Sequence, residues 1–138
     1  MALDLKGSQF DVNQNLETEG VWENLGDGAH LLVARAGNDN WNTEYQRIPR
    51  TIRRKIENPP KGSEQFRDEK ICELMANTIL LDWRGLADEG KEIKYSKENA
   101  KKLLIKYPEF RDFVFQLSND PNRFLQEGEA PAEETGSE

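Results

Sequence analysis

At 138 residues the chain has the length of one compact domain, and with 36% hydrophobic against 33% charged side chains its core must come from short apolar stripes. A net charge of −7 opposes generic attraction to nucleic acid or anionic lipid, and apolar runs such as Ile79-Leu80-Leu81 fall far short of the roughly 20 residues of a membrane-spanning helix. The start, Met1-Ala2-Leu3-Asp4-Leu5-Lys6-Gly7, carries no signal-peptide pattern, and the single cysteine, Cys72, can form no internal disulfide, so a protein that stays in the cytoplasm where it is made is expected.

Residues 1–19 show no sustained period and read as an irregular arm. From Gly20 the pattern changes. Val21–Leu25 and Ala29–Arg35 are β-type runs flanking Gly26-Asp27-Gly28, whose residues supply the positive φ of a tight hairpin turn. Val21, Leu25, Leu31 and Val33 are placed facing a core. Trp41, Tyr45, Ile48, Ile52 and Ile56 then recur at helical steps, and Pro49 among them predicts a kink or two short helices meeting near Ile48. After the breaker Asn58-Pro59-Pro60-Lys61-Gly62, Ser63 is placed as the cap of a helix running to about Trp83. Its face is built from Ile71, Leu74, Met75, Thr78 and Leu81, widened by Cys72, Ile79, Leu80 and Trp83. Gly85 is read as its stop, Asp88-Glu89-Gly90 as a turn, and Lys91–Tyr95 as a short strand able to join the hairpin as a third. Ser96 caps a helix with Ala100, Leu103, Leu104 and Tyr107, ended by Pro108. Phe110, Phe113, Val114 and Leu117 mark another, and Asp120-Pro121 opens a last one with Phe124 and Leu125. Residues 127–138 offer no bulky apolar side chain and are expected to be a disordered acidic tail. The resulting expectation is an α+β fold, a small antiparallel hairpin of two or three strands packed with about five short helices, forming one domain over residues 20–126.

No constellation of catalytic, metal or cofactor residues emerges, so a non-enzymatic protein without cofactors is expected. His30, the only histidine, has no nucleophile placed beside it and reads as a sheet-edge residue, while Cys72 reads as a small buried hydrophobe. Asp88, Glu89 and Glu92 crowd one turn but lack the alternating oxygens of a calcium loop, and no glycine-lysine-serine/threonine sequence follows Gly26-Asp27-Gly28. The one feature against the global acidity is Arg47, Arg50, Arg53, Arg54 and Lys55, with Arg47, Arg50 and Arg54 on a helical face opposite Ile48, Ile52 and Ile56. That face is either solvated or meets an acidic protein surface. Trp22, Trp41 and Trp83 each read first as core; Trp83 is expected to pack under Leu86 and Tyr95, and Trp41, beside Asn38-Asp39-Asn40, is the one picked for a partner if any is exposed. Candidate partner-binding residues are therefore Trp41, Arg47, Arg50, Arg54, Phe124 and Leu125.

The ordered set Leu25-Gly26-Asp27-Gly28-Ala29, Leu32-Val33-Ala34-Arg35, Leu80-Leu81-Asp82-Trp83-Arg84-Gly85-Leu86, Tyr95-Ser96-Lys97-Glu98-Asn99-Ala100 and Phe110-Arg111-Asp112-Phe113-Val114 resembles the tail assembly chaperones of long-tailed bacteriophages, from about Gly20 to Leu125. The resemblance implies a factor made in the cytoplasm of the infected host that binds the phage tape measure protein before the tail tube polymerises around it. It also implies the major tail tube protein as a second candidate partner, absence from the finished virion, and in many members a longer frameshifted product. A structural tail or connector component retained in the virion is the alternative. A nucleic-acid-binding regulator using Arg47–Lys55 is disfavoured by the net charge and by the lack of a helix-turn-helix pair.

Overall fold

The computed structural model describes residues 2–8 and 10–125, so the acidic tail lies outside the described residues. Within the stretch read as irregular, Asn13 caps a short helix, α1 (Gln14–Glu19), its side-chain oxygen accepting from the amides of Asn15 and Leu16. The helix carries one buried anchor, Leu16, too little to show a period.

The expected hairpin follows as β1 (Val21–Gly26) and β2 (Ala29–Val33), turning through Asp27 and Gly28 at φ of 55° and 79°. Leu31 and Val33 are fully buried and Val21 is buried, but Leu25 is exposed. A bulge between Asn24 and Gly26 breaks the inside–outside alternation there, at the open tip of the hairpin. Beyond β2 three successive amides leave for three different elements: Ala34 N donates to Ile79 O, Arg35 N to Glu17 O and Ala36 N to Ser118 O, each at 2.8 Å.

Pro49 divides the next helical segment as expected, into α2 (Asp39–Arg47) and α3 (Arg50–Glu57). The buried Asn38 caps α2 by accepting from Trp41 N at 3.0 Å, while its amide donates to Arg35 O and Thr78 O at 2.7 and 3.0 Å. The central helix, α4 (Glu64–Thr78), differs from expectation at both ends. Ser63 does not cap it; its hydroxyl donates instead to Pro60 O at 2.6 Å. At the other end the helix stops short of Trp83, and the chain continues as β3 (Leu80–Arg84), antiparallel to β2 with Val33 opposite Leu80 and His30 opposite Arg84. This strand, not Lys91–Tyr95, is the third in the sheet, whose order is β1-β2-β3. An apolar run as short as Ile79-Leu80-Leu81 suits helix and strand alike; the free edge of β2 decides, because it satisfies the β3 backbone while burying Leu80 and Trp83.

Gly85 ends β3 rather than a helix. Its φ is 72°, and a Cβ there would overlap the Gly28 carbonyl and stand 3.2 Å from Ala29 Cα, so the strand exit packs directly on the first hairpin turn. The segment expected to add a third strand forms its own small hairpin, β4 (Ala87–Asp88) with β5 (Lys91–Glu92), through Glu89 and Gly90 at φ of 52° and 82°. Ser96 caps α5 (Lys97–Lys106) by accepting from Asn99 N at 2.9 Å, Pro108 opens α6 (Pro108–Ser118), and a 3-10 turn, Pro121–Phe124, follows Asp120.

The main core lies where β2, β3, α4, α5 and α6 meet: Leu31 and Val33 against Met75, Ile79 and Leu80, then Trp83, Leu104 and Val114. Full burial of such side chains contributes roughly 1.5–3 kcal/mol each relative to exposure. Trp83 packs edge-on to Tyr95 at 5.0 Å and donates through Nε1 to Ile93 O at 2.7 Å; the Tyr95 hydroxyl donates to Leu80 O at 2.8 Å. A second cluster joins Leu16, Val21 and Phe124, flanked by Val12. Arg123 locks it, donating to Glu23 Oε1, Val21 O and Leu117 O at 3.1, 2.8 and 2.9 Å. The whole is an α+β fold, with six α-helices and two small antiparallel sheets among the described residues.

Candidate protein interface

His30 sits in β2, the central strand, and so is not a sheet-edge residue; its Nδ1 lies 3.4 Å from Gly28 O beside the turn. Cys72 is fully buried in the main core, 3.5 Å from Arg111 Nη1. Burial pushes its thiol above the ordinary value, with Arg111 opposing. At the β4–β5 hairpin, Lys106 bridges Asp88 and Glu89 at 2.8 and 2.6 Å, and the Tyr107 hydroxyl donates to Asp88. The hydrogen bonds from Lys106 and Tyr107 hold the Asp88 carboxyl below the usual range and raise Lys106 and Tyr107 in return. Among the described residues no three of His, Cys, Asp and Glu are grouped to hold a metal ion.

The residues chosen for partner contact separate into two groups. Phe124 is fully buried and cannot be an exposed anchor: the 3-10 turn lays its ring onto α1 and β1, where Leu16 and Val21 cover it. Leu125 beside it is half-buried. Trp41, the tryptophan picked for a partner, is half-buried and packs on the main core, in keeping with its first reading as a core residue, on a helix that docks against α4. The arginines Arg47, Arg50 and Arg54 are exposed, although Pro49 splits their common face between two helices. Arg47 pairs with Glu44 at 2.8 Å. Beneath the break lies a cleft of about 230 Å³, with Ile48, Pro49, Ile52 and Leu74 among its lining residues and Arg47, Lys70, Glu44 and Glu73 around them.

A second surface was not chosen from the sequence. At the corner between α5 and α6 a groove of about 400 Å³ is lined by Leu86, Ala87, Leu103, Tyr107, Pro108, Glu109 and Phe110. Tyr107 is 41% exposed, and further along α6 Phe113 and Phe115 are 38% and 42% exposed, whereas Val114 between them is fully buried. The signal for this was present: three consecutive side chains span about 200° of a helix, so Phe113, Val114 and Phe115 cannot all face one core. Large aromatic side chains left in water around an apolar groove are what a protein partner uses as anchors.

The fold and these surfaces describe a small α+β protein that carries exposed aromatic side chains and a basic helix on its surface. A family model described as YdaY prophage protein matches residues 36–135, and the chain belongs to that family, which makes it a phage-derived protein. No curated protein and no solved structure matches it.

Proposed function

We propose that this phage-derived protein is a tail assembly chaperone without catalytic activity. It acts in the cytoplasm of the infected host, holds the tape measure protein before the tail tube polymerises around it, and leaves before the virion is complete. The observation that carries the reading is the apolar groove at the α5–α6 corner, with the exposed Tyr107 in its lining. A long helical chain awaiting its tube exposes apolar stripes, and laying such a stripe into a groove between helices is a recurrent way to shield it. The phage origin and the ordered resemblance from Gly20 to Leu125 support the setting.

The test is co-expression with the tape measure protein of the same prophage. The expected result is a co-purifying complex and a larger share of tape measure protein in the supernatant. Ala87→Glu, at an exposed position lining the groove, should weaken the complex at least about tenfold by placing an unpaired charge against apolar surface. No complex and no gain in solubility would refute the chaperone reading. Stoichiometric presence in purified particles by mass spectrometry would assign the protein to the tail structure instead.

A further inference from the structure

The groove at the α5–α6 corner has two walls from separate parts of the chain. One is the β4–β5 hairpin, through Leu86 at its root and Ala87 in its first strand; the other is the corner itself, through Leu103, Tyr107, Pro108 and Phe110. The root is fixed: Leu86 and Ile93 pack on the main core, and Ile93 N donates to Leu86 O at 2.9 Å. Between them Ala87, Asp88, Glu89, Gly90, Lys91 and Glu92 include no apolar side chain larger than alanine, and the ladder is two residue pairs long. Nothing apolar anchors the tip, and so short a hairpin is not stable by itself.

What joins the two walls is polar. Asp88 accepts from the Tyr107 hydroxyl through one carboxylate oxygen and from Lys106 Nζ, at 2.8 Å, through the other, and Glu89 accepts from the same ammonium at 2.6 Å. Lys106 Nζ also stands 5.4 Å from the centre of the Tyr107 ring. The Tyr107 backbone is set independently, because its amide donates to Leu103 O at 2.9 Å and the proline after it disfavours the helical region, leaving φ at −121° and ψ at 85°. The torsions of the ring itself are then what the bond to Asp88 fixes, and that ring is 41% exposed in the groove lining.

We propose that Asp88, Glu89, Lys106 and Tyr107 form a latch that holds the β4–β5 hairpin as a fixed wall of the groove and sets the Tyr107 ring in place before a partner arrives. Asp88 is a positioning residue, acting through Tyr107. With the latch closed the groove is complete in the free protein. With it open, a partner must order both the ring and the hairpin tip as it binds, which weakens the complex without deleting a contact. The partner's identity, a segment of the tape measure protein, rests on the chaperone reading.

Hydrogen exchange on the full chain tests the latch without any partner. In Asp88→Ala the amides of residues 86–93 should exchange at least about fivefold faster, while those of β3 and α4 keep their wild-type rates and the urea midpoint stays where it was. Tyr107→Phe keeps the ring and deletes only the hydroxyl. That variant and Asp88→Ala should each weaken capture of the tape measure protein by about three- to tenfold, and the two substitutions together should cost no more than Asp88→Ala alone, because both open the same latch. Asp88→Asn, which keeps an acceptor for the hydroxyl, should restore part of the loss. Unchanged exchange over residues 86–93, faster exchange spread through the main core, or losses that simply add would overturn the proposal. A wild type that captures no tape measure protein refutes the chaperone reading alone, and the exchange result then decides the latch. Capture by the wild type with equal or tighter capture by both single variants refutes the latch alone.

Discussion

Replacing Phe124 with alanine separates a structural anchor from a contact residue. The ring is fully buried among Leu16 and Val21, with Val12 alongside, and its backbone carbonyl accepts from Asn13 N at 2.9 Å, so it ties the end of the described chain to α1 and β1. Truncating a buried phenylalanine costs about 3–5 kcal/mol. The second cluster is small, which lets α1 and the 3-10 turn close part of the space, and a loss of about 3 kcal/mol is the expected value. Against the 5–15 kcal/mol typical of a domain that is a large fraction. Urea unfolding followed by tryptophan fluorescence measures the loss, and hydrogen exchange should show the Gly20 amide, which donates to Leu16 O, losing protection ahead of the main core. A stability loss below about 1 kcal/mol, together with impaired capture of a partner, would mean that the ring faces outward and that the packing argument is wrong.

Gly85→Ala should cost about 3 kcal/mol in the same assay, because a positive φ and overlap with the Gly28 carbonyl act together, whereas Gly90→Ala, with open space at its Cβ, should cost less. Asn38→Ala should cost about 2–3 kcal/mol by removing the α2 cap and leaving the Thr78 carbonyl without its partner; a thermal melt within a degree of wild type would contradict this. Burial pushes the Tyr95 hydroxyl up to about 12. Since the folded value is raised above the unfolded one, the neutral phenol contributes its full stabilisation below about pH 10 and loses it as pH rises towards 12. Ultraviolet titration should therefore show Tyr95 ionising late, and Tyr95→Phe should flatten the loss of stability over that alkaline window.

What was legible in the sequence was mostly local. Asp27-Gly28 fixes a hairpin through its own backbone preferences, Pro49 breaks a helix wherever it sits, and Ser96 caps α5 with its own hydroxyl. Elements whose cause lies elsewhere in the chain were not legible. α1 depends on one leucine whose cover arrives from Phe124, and β3 depends on the free edge of β2, which no periodicity in residues 79–84 can announce. The surfaces divide in the same way. Charge marks an exterior position reliably, so Arg47, Arg50 and Arg54 are exposed as expected. An aromatic ring serves core and interface equally well, which is why the buried Phe124 was chosen for partner contact while the exposed Phe113 passed for core.

The three amides of Ala34, Arg35 and Ala36 carry a consequence for how the protein is divided. The family match begins at Ala36, the last residue of that run, so the unit recognisable by descent and the unit able to fold do not coincide. A chain trimmed to residues 36–135 would lose β2 with Leu31 and Val33, strip the backbone partners from β3, and open the Phe124 cluster by removing Leu16 and Val21. A relative holding only the matched portion would have to rebuild that central strand from unrelated sequence or borrow one from a neighbouring chain.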